Sequence, residues 1–206
     1  CRHGYKGNGE LVLVKSLEKY DGAKTPKYNF PVIKENPKVF WLPIYPQYHT
    51  DLFPDMILKN EDMHLYEEKK AHRYALEKIY LSGRYKTDAQ PGDIMMIYRT
   101  GESYPKKYSS VITGIAVIES ITDTKSIDEC LKLCKNRSVF EEKEIIEMHR
   151  KRPRVIKLLD YKPFVKKVTL DYLWQQGIIN FPNGPQTFDP ITEEQYENIL
   201  KFETER

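Results

Sequence analysis

The stretch Pro91–Ser120, PGDIMMIYRTGESYPKKYSSVITGIAVIES, decides how this chain folds. Two apolar segments, Asp93–Tyr98 and Ser109–Ile118, are predicted to be strands. Strands this apolar must be buried, so we expect them at the centre of a sheet. The polar crossing between them then lies at the rim of the sheet, where binding residues usually lie. It holds Arg99, Thr100, Gly101, Tyr104, Lys106, Lys107 and Tyr108.

Length and composition indicate a soluble globular protein. The 206 residues suffice for one large domain, or for one domain with a short appendage, and 40% hydrophobic with 31% charged residues argues against wholesale disorder. A net charge of +3 permits a nucleic-acid partner but does not by itself argue for one. The fifteen tyrosines suit half-buried packing and also stacking on a flat ligand.

The elements around the central stretch favour an α+β fold. Strands are predicted at Val39–Ile44, as an edge strand because of Pro43, and at Arg154–Asp160, with a loop from Pro46 to Pro54. Helices are predicted at Glu67–Tyr80, which runs into a short strand at Ile79–Ser82, and at Ser126–Cys134, Phe140–His149, Leu170–Gln176 and Thr192–Phe202. The predicted caps of the last four helices are Ser126, Ser138, Thr169 and Thr192. This order predicts a small mixed, curved β-sheet or barrel with helices packed outside it.

Several classes of site find little support. Cys130 and Cys134 lie four residues apart on a predicted helix, and we interpret them as small buried side chains in a reducing cytosol. His49 and Asp51 alone are a weak metal set, so no metal ligand is predicted. Nucleophile, base and orienting group are not evident together, and no catalytic residue is predicted. No apolar stretch approaches a membrane span of about 20 residues, so we expect a cytoplasmic protein without a membrane partner.

The first residues indicate an N-terminal neighbour. A Gly-rich turn precedes a predicted strand at Glu10–Lys15, which has no earlier strand to pair with. The run GYKGNGELVLVK resembles the C-terminal end of GNAT-type acetyltransferases. The chain does not begin with Met, and we expect residues 1–15 to be a remnant of such a domain. Residues 16–37 are then a linker or arm, and residues 38–206 the main domain. No cofactor is expected in this chain, and acetyl-CoA would serve the upstream domain.

The main resemblance covers roughly residues 38–200. Four pieces carry it in order: AHRYALEKIYLS from Ala71, PGDIMMIYRT from Pro91, YSSVITGIAVIE from Tyr108, and RSVF from Arg137. Together they resemble the PUA-like domains attached to some bacterial GNAT proteins and, more loosely, the EVE and ASCH branches of that superfamily. The resemblance implies a small mixed barrel whose mouth holds RNA or a modified base.

Carried over by position, the resemblance implies a binding site at the barrel mouth. The candidates are Tyr98, Arg99, Thr100, Tyr108, Ser109 and Ser110 from the central strands, with His72, Arg73 and Ser82 from the segment before them. Tyrosine faces can stack on a base, and arginine suits a phosphate or a guanine edge. Alternatively, Tyr98 and Tyr108 cap a barrel end, Arg99 pairs with Asp93 or Glu102, and Arg73 is solvated or packed against the sheet edge.

The run HRKRPR is the densest positive cluster, with Arg150, Lys151, Arg152 and Arg154 as candidate phosphate contacts. A solvated helix end is the simpler interpretation of this run. Two hypotheses for the function follow. One is a non-catalytic module that binds RNA or DNA, with a modified base as one candidate ligand. The other is the C-terminal part of an acetyltransferase that shapes or presents its substrate.

Overall fold

Six strands form one mixed sheet at the centre of the molecule. The structure is a computed structural model and describes residues 6–7, 10–11, 19–54, 71–83, 86–102 and 104–204. The strands of the sheet are β3 (Val39–Ile44), β4 (Lys78–Ser82), β5 (Ile94–Arg99), β6 (Val111–Asp123), β7 (Arg154–Thr169) and β8 (Pro190–Ile191). Within the described residues their order is β4-β7-β6-β5-β3-β8. β5 and β6 occupy the centre, as their apolar sequences predict.

The sheet is mixed because β3 and β5 run parallel, whereas every other neighbouring pair is antiparallel. All six residues of β5 are buried. β3 was predicted as an edge strand, but β8 covers its first two residues, Val39 and Phe40. The second half of β3, which contains Pro43, remains outside that pairing. The loss of a backbone donor at Pro43 is tolerated there.

Irregular pairing between the two long strands curves the sheet. The register of β6 on β7 shifts at three points, and β-bulges of this kind bend and twist a strand. Gly114 lies at one of these points, where a Cβ atom would come within 2.3 Å of the Lys162 carbonyl oxygen. Curvature brings β4 towards β3, and the Tyr80 hydroxyl donates to the Pro43 carbonyl at 3.2 Å. No strand pairing closes the sheet among the residues described, so the architecture is an open curved sheet rather than a complete barrel.

Helices pack outside the sheet in three groups. α6 (Leu170–Gln175) and α7 (Glu193–Thr204) cover one face, and α2 (Pro46–Leu52) belongs to a second apolar cluster on the other face. α4 (Ile127–Cys134) and α5 (Glu142–His149) pack on β4 and β7. The short helices α1 (Pro26–Asn29) and α3 (Lys106–Ser109) complete the set described. The predicted α+β fold with a curved mixed sheet and outer helices is therefore confirmed.

The helix boundaries follow their capping residues. Ser126, Thr169 and Thr192 accept backbone hydrogen bonds at the starts of α4, α6 and α7, as predicted. Gly177 ends α6 with a positive φ of 64°. The predicted cap of α5 at Ser138 was wrong, because Glu141 is the N-cap and forms a capping box with Glu144.

Two predicted segments differ in the structure. The predicted loop from Pro46 to Pro54 is mostly the helix α2, whose first position holds Pro46. Proline favours that position because its fixed φ suits a helix and no donor is needed there. The predicted helix Glu67–Tyr80 is a 3₁₀ turn at Ala71–Tyr74 followed by β4, and its first residues lie outside the described ones. Pairing with β7 buries four of the five residues of β4 and overrides the helical spacing.

The N-terminal residues divide into two parts. β1 (Lys6–Gly7) pairs antiparallel with β2 (Glu10–Leu11), so the expectation that this strand has no earlier partner was wrong. The rest of the predicted strand Glu10–Lys15 lies outside the described residues. We define residues 19–36 as the arm. Its helix α1 packs on β6, where the Lys27 backbone N–H donates to Glu119 Oε2 at 2.6 Å.

Candidate functional site

A pocket opens where the curved sheet brings β3 and β4 together. Its cavity measures about 200 Å³. Two aromatic pairs belong to its lining: Tyr48 with Phe140, at a ring-centroid distance of 4.7 Å, and Tyr80 with Phe188, at 5.8 Å. Tyr45, at the start of α2, lines the same pocket and leaves 58% of its surface exposed. Flat apolar walls of this kind suit a planar ligand.

Polar groups also reach this pocket. Half-buried Arg152 lines it together with Ser82, Thr100 and Thr187. Among the described residues no carboxylate forms an ion pair with Arg152, so its charge has no protein counter-ion in that part of the chain. A guanidinium in this setting favours an anionic or electron-rich ligand group.

Three of the sequence-predicted residues therefore line one pocket: Ser82, Thr100 and Arg152. Thr100 is held in place because its backbone N–H donates to the Ile44 carbonyl at 2.9 Å. The Ser82 hydroxyl donates to the Gly83 carbonyl at 3.0 Å and leaves its lone pairs for a further donor.

The other residues from the strand ends lie behind or beside the pocket. Tyr98 is 2% exposed and packs edge-on against Trp41, and burial raises the pKa of its hydroxyl, which is near Ser110. Arg99 is also buried, and its Nη1 donates to the Ser109 carbonyl at 3.4 Å. The Ser110 hydroxyl accepts from the Gly101 backbone N–H at 2.8 Å. This part of the predicted site joins the central hairpin to α3.

Tyr108 lies on α3 and is 56% exposed. It is placed beside Lys107, whose ammonium group lies 4.6 Å from the ring centroid. The Ser109 hydroxyl donates to the Lys106 carbonyl at 3.4 Å within the same short helix. These residues form part of the surface next to the pocket and are not among its lining residues.

His72 and Arg73 are buried beside α2. Arg73 Nη1 donates to Asp51 Oδ1 at 2.9 Å, and His72 Nε2 lies 3.7 Å from Asp51 Oδ2. These neighbours lower the pKa of the Asp51 carboxyl, His72 first and then Arg73, against the opposing effect of its own burial. Arg73 thus has a carboxylate partner from the protein itself. The interaction holds the 3₁₀ turn on α2.

The four cations of the basic run, HRKRPR, also lie in different environments. Arg150 and Lys151 are exposed at the end of α5, whereas Arg154 forms a two-point ion pair with Asp123, at 2.7 and 3.0 Å. Arg152 alone of these four lines the pocket. The four cations are close together in the sequence, but they are separated in the structure because the chain turns after α5 and then enters β7.

Buried His49 belongs to the core beneath the pocket. Burial, together with the charges of Arg99 and Lys167, lowers its pKa to about 3. Its Nε2 lies 2.8 Å from the Thr113 hydroxyl oxygen. The ring is therefore neutral at physiological pH and tethers α2 to β6.

The described residues contain no group of three His, Cys, Asp or Glu side chains arranged to hold a metal ion. Cys130 and Cys134 are free thiols in the α4 core, and burial raises the pKa of Cys134 to about 12. This confirms their interpretation as small buried side chains. No helix in the described part of the chain is long and apolar enough to cross a membrane.

Sequence reasoning missed the aromatic lining. Tyr45 and Tyr48 follow β3, Phe140 precedes α5, and Phe188 precedes β8. No local spacing connects these residues, since they meet only through the sheet curvature. One signal was present: Phe140 ends the RSVF run, which was one of the four pieces that carry the resemblance.

Comparison with solved structures agrees with this fold. A serine-to-alanine variant of an ASCH protein from Zymomonas mobilis superposes with a TM-score of 0.56 at 14% identity, covering 81% of this chain and 97% of that one. The ASCH protein from the same organism gives a TM-score of 0.54 at 13% identity, covering 80% and 94%. Its tyrosine-to-phenylalanine variant gives 0.54 at 13% identity, covering 80% and 98%.

The chain therefore has a fold similar to that of these ASCH proteins. At this identity the likeness concerns the fold alone. No family model matches the sequence, and no curated protein does either.

Proposed function

We propose that this chain is a binding module that takes an unpaired base of RNA or DNA into the pocket between β3 and β4. The observation that carries the proposal is the combination of aromatic walls and a half-buried Arg152 in one cavity. A base offers a flat face for stacking, and its phosphate offers a partner for the guanidinium.

The size of the pocket supports a small planar ligand. Drug-sized ligands usually occupy pockets of about 300 Å³ or more, whereas this cavity measures about 200 Å³. One aromatic ring system fits that volume better than an extended peptide does. The hydroxyls of Ser82, Thr100 and Thr187 can each donate or accept at the edge of such a ring. A modified base remains among the candidate ligands, because hydroxyl edges accept several substituent patterns.

Arg152 and Arg150 provide a matched test, because they are two positions apart and carry the same charge. Binding of fluorescein-labelled single-stranded RNA and DNA is measured by anisotropy at low salt. Arg152→Ala is expected to weaken binding about tenfold and to reduce the salt slope by about one phosphate contact. Arg150→Ala removes the same charge from an exposed position that does not line the pocket, and it should have a clearly smaller effect.

Two results would overturn the proposal. One is the absence of binding at low salt to every single- and double-stranded probe. The other is an equal loss for the two arginine variants, which would indicate attraction by net charge without use of the pocket. Thermal unfolding of both variants serves as a folding control.

A further inference from the structure

A row of three aromatic side chains, two of them exposed and one partly buried, lies on and beside α6. Phe181 is 75% exposed and Tyr108 is 56% exposed. Between them lies α6, whose partly buried Trp174 meets Phe181 edge-on, with the ring centroids 5.0 Å apart and the ring planes at 74°. Large aromatic rings are costly to leave in water, and exposure of several in one area often marks an interaction surface.

Hydrogen bonds fix these rings on one side of α6. The Trp174 indole N–H donates to the Asn183 carbonyl at 2.7 Å, which holds the Phe181 loop against the helix. Lys107 Nζ pairs with Asp171 at 2.8 Å, which holds α3 and its Tyr108 against the same helix. Asp171 and Trp174 are three residues apart, so they lie on neighbouring positions of one helical face. Tyr108 and Phe181 therefore flank the same face.

This surface is continuous with the pocket. The Phe181 loop runs on through Gly184, where a Cβ would lie 2.7 Å from the Tyr98 hydroxyl, to Pro185 in the pocket lining. Four residues of extended chain span at most about 14 Å, so the Phe181 backbone lies within that distance of the pocket wall. Stacked nucleotides are spaced about 3.4 Å apart along a strand. A few nucleotides are enough to connect the pocket with the aromatic row.

We infer that Tyr108, Trp174 and Phe181 form a stacking platform for the nucleotides that flank the base in the pocket, so that the ligand is a single-stranded segment of several nucleotides. This inference rests on the proposed function. Only unpaired bases can present their faces to side chains, which selects single strands over duplexes. Exposed Lys106, beside the platform, supplies a positive charge for the backbone, and Lys107 neutralises Asp171.

The platform predicts that affinity grows with ligand length. Ribonucleoside 5′-monophosphates and homopolymeric RNA and DNA of two to five nucleotides are titrated against the full chain by isothermal titration calorimetry, because no tryptophan is among the described residues that line the pocket. Quenching of tryptophan fluorescence is the second readout and follows the platform. Trp41 is buried in the core, so quenching by a stacked base reports on Trp174. The pentanucleotides are expected to bind at least about tenfold more tightly than the mononucleotides. Comparison of the RNA and DNA series determines whether the sugar is read.

Variants separate the platform from the pocket. Phe181→Ala and Tyr108→Ala should each reduce the gain from length about fivefold or more while leaving mononucleotide binding unchanged. Phe181→Tyr keeps a ring and should keep the gain. Phe30→Ala is the matched control, because Phe30 is an exposed phenylalanine on the arm. All these positions are at the surface, so folding is retained.

The outcomes distinguish the two claims. Mononucleotide binding without any gain from length, or a gain that Phe181→Ala and Tyr108→Ala leave intact, overturns the platform but not the pocket. Loss of all binding, mononucleotides included, overturns both. A duplex that binds as tightly as the single strand of the same length also overturns the platform, because paired bases cannot stack on it.

Discussion

Two regions of the molecule differ in how their charged groups are paired: the arm contact, where residues 19–36 pack on the rest of the protein, and the pocket. Three buried carboxylates, Asp93, Glu77 and Glu119, all receive hydrogen bonds from the arm. In the pocket, by contrast, Arg152 shares the lining with aromatic side chains and has no carboxylate partner among the described residues. Charges that are satisfied inside the protein stabilise it, whereas a charge left available to a ligand contributes to binding. Mutations at the arm contact should therefore reduce stability, whereas mutations in the pocket should reduce binding.

Asp93 should give the largest effect on stability. It is 1% exposed and accepts from Lys34 Nζ at 2.8 Å, the Lys38 backbone N–H at 3.1 Å and the Gln90 backbone N–H at 2.9 Å. Asp93→Ala removes all three bonds and leaves the donors without an acceptor. The free energy of unfolding, measured by urea denaturation, should fall by about 3 kcal/mol.

The control for this change is Asp93→Asn, which keeps an acceptor oxygen and should cost less. Nucleic-acid binding by the folded fraction should be unchanged in both variants, because Asp93 precedes β5 whereas the pocket residue Thr100 follows it. A stability within about 0.5 kcal/mol of the parent, the range of ordinary surface substitutions, would show that the arm contact is not anchored as described.

The sequence predicted the features that depend on neighbours along the chain better than those that depend on distant partners. The buried hairpin of β5 and β6 and the caps at Ser126, Thr169 and Thr192 depend on neighbours along the chain, and they were predicted correctly. The first residues of β4 were mistaken for the end of a helix because its partner β7 lies about 75 residues away along the chain, as in the pair Ile79 and Lys157. Long-range pairing overrides local spacing and leaves no local signal.

The candidate site follows the same rule. Thr100 and Ser82 were selected by their positions in the resemblance, and both line the pocket. Tyr98 was selected for the same reason, but the side chains of a strand alternate between its faces. Tyr98 faces the core that contains Trp41 and Leu173. The sequence could not show which face of β5 points to the pocket, because both faces of this strand are apolar and buried.

Substitution of Tyr45, which lines the pocket, should weaken binding with little effect on stability. With 58% of its surface exposed, Tyr45→Ala should change the free energy of unfolding by less than about 0.5 kcal/mol. Single-stranded oligonucleotide binding should weaken by about 1–3 kcal/mol, the usual contribution of one stacked base. Tyr45→Phe should retain affinity, and Tyr28→Ala on the arm serves as a matched tyrosine control. Unchanged binding by Tyr45→Ala would place the ligand elsewhere.

Substitution of Glu77 should give the smallest of the three effects. It should lower the free energy of unfolding by an amount that depends on pH. It is 7% exposed and is surrounded by Lys27, Arg137 Nε at 2.8 Å and Lys157 Nζ at 3.7 Å. Burial opposes ionisation, but the hydrogen bond from Lys27 and the charges of Lys157 and Arg137 outweigh it and lower the pKa of the carboxyl. Because the folded state holds the proton less tightly than the unfolded state, ionised Glu77 stabilises the fold above the unfolded pKa of about 4.3.

Glu77→Gln should therefore lower the free energy of unfolding by about 1 kcal/mol at neutral pH, since its cationic partners are partly exposed. The difference from the parent should shrink as the pH falls through the lowered pKa, where the parent carboxyl also becomes neutral. Urea denaturation across the acidic range measures this convergence. Glu197→Gln, at an exposed position of α7, should show no comparable dependence. A difference for Glu77→Gln that stays constant with pH would mean that its side chain acts through packing, and the arm contact would then not depend on charge at that position.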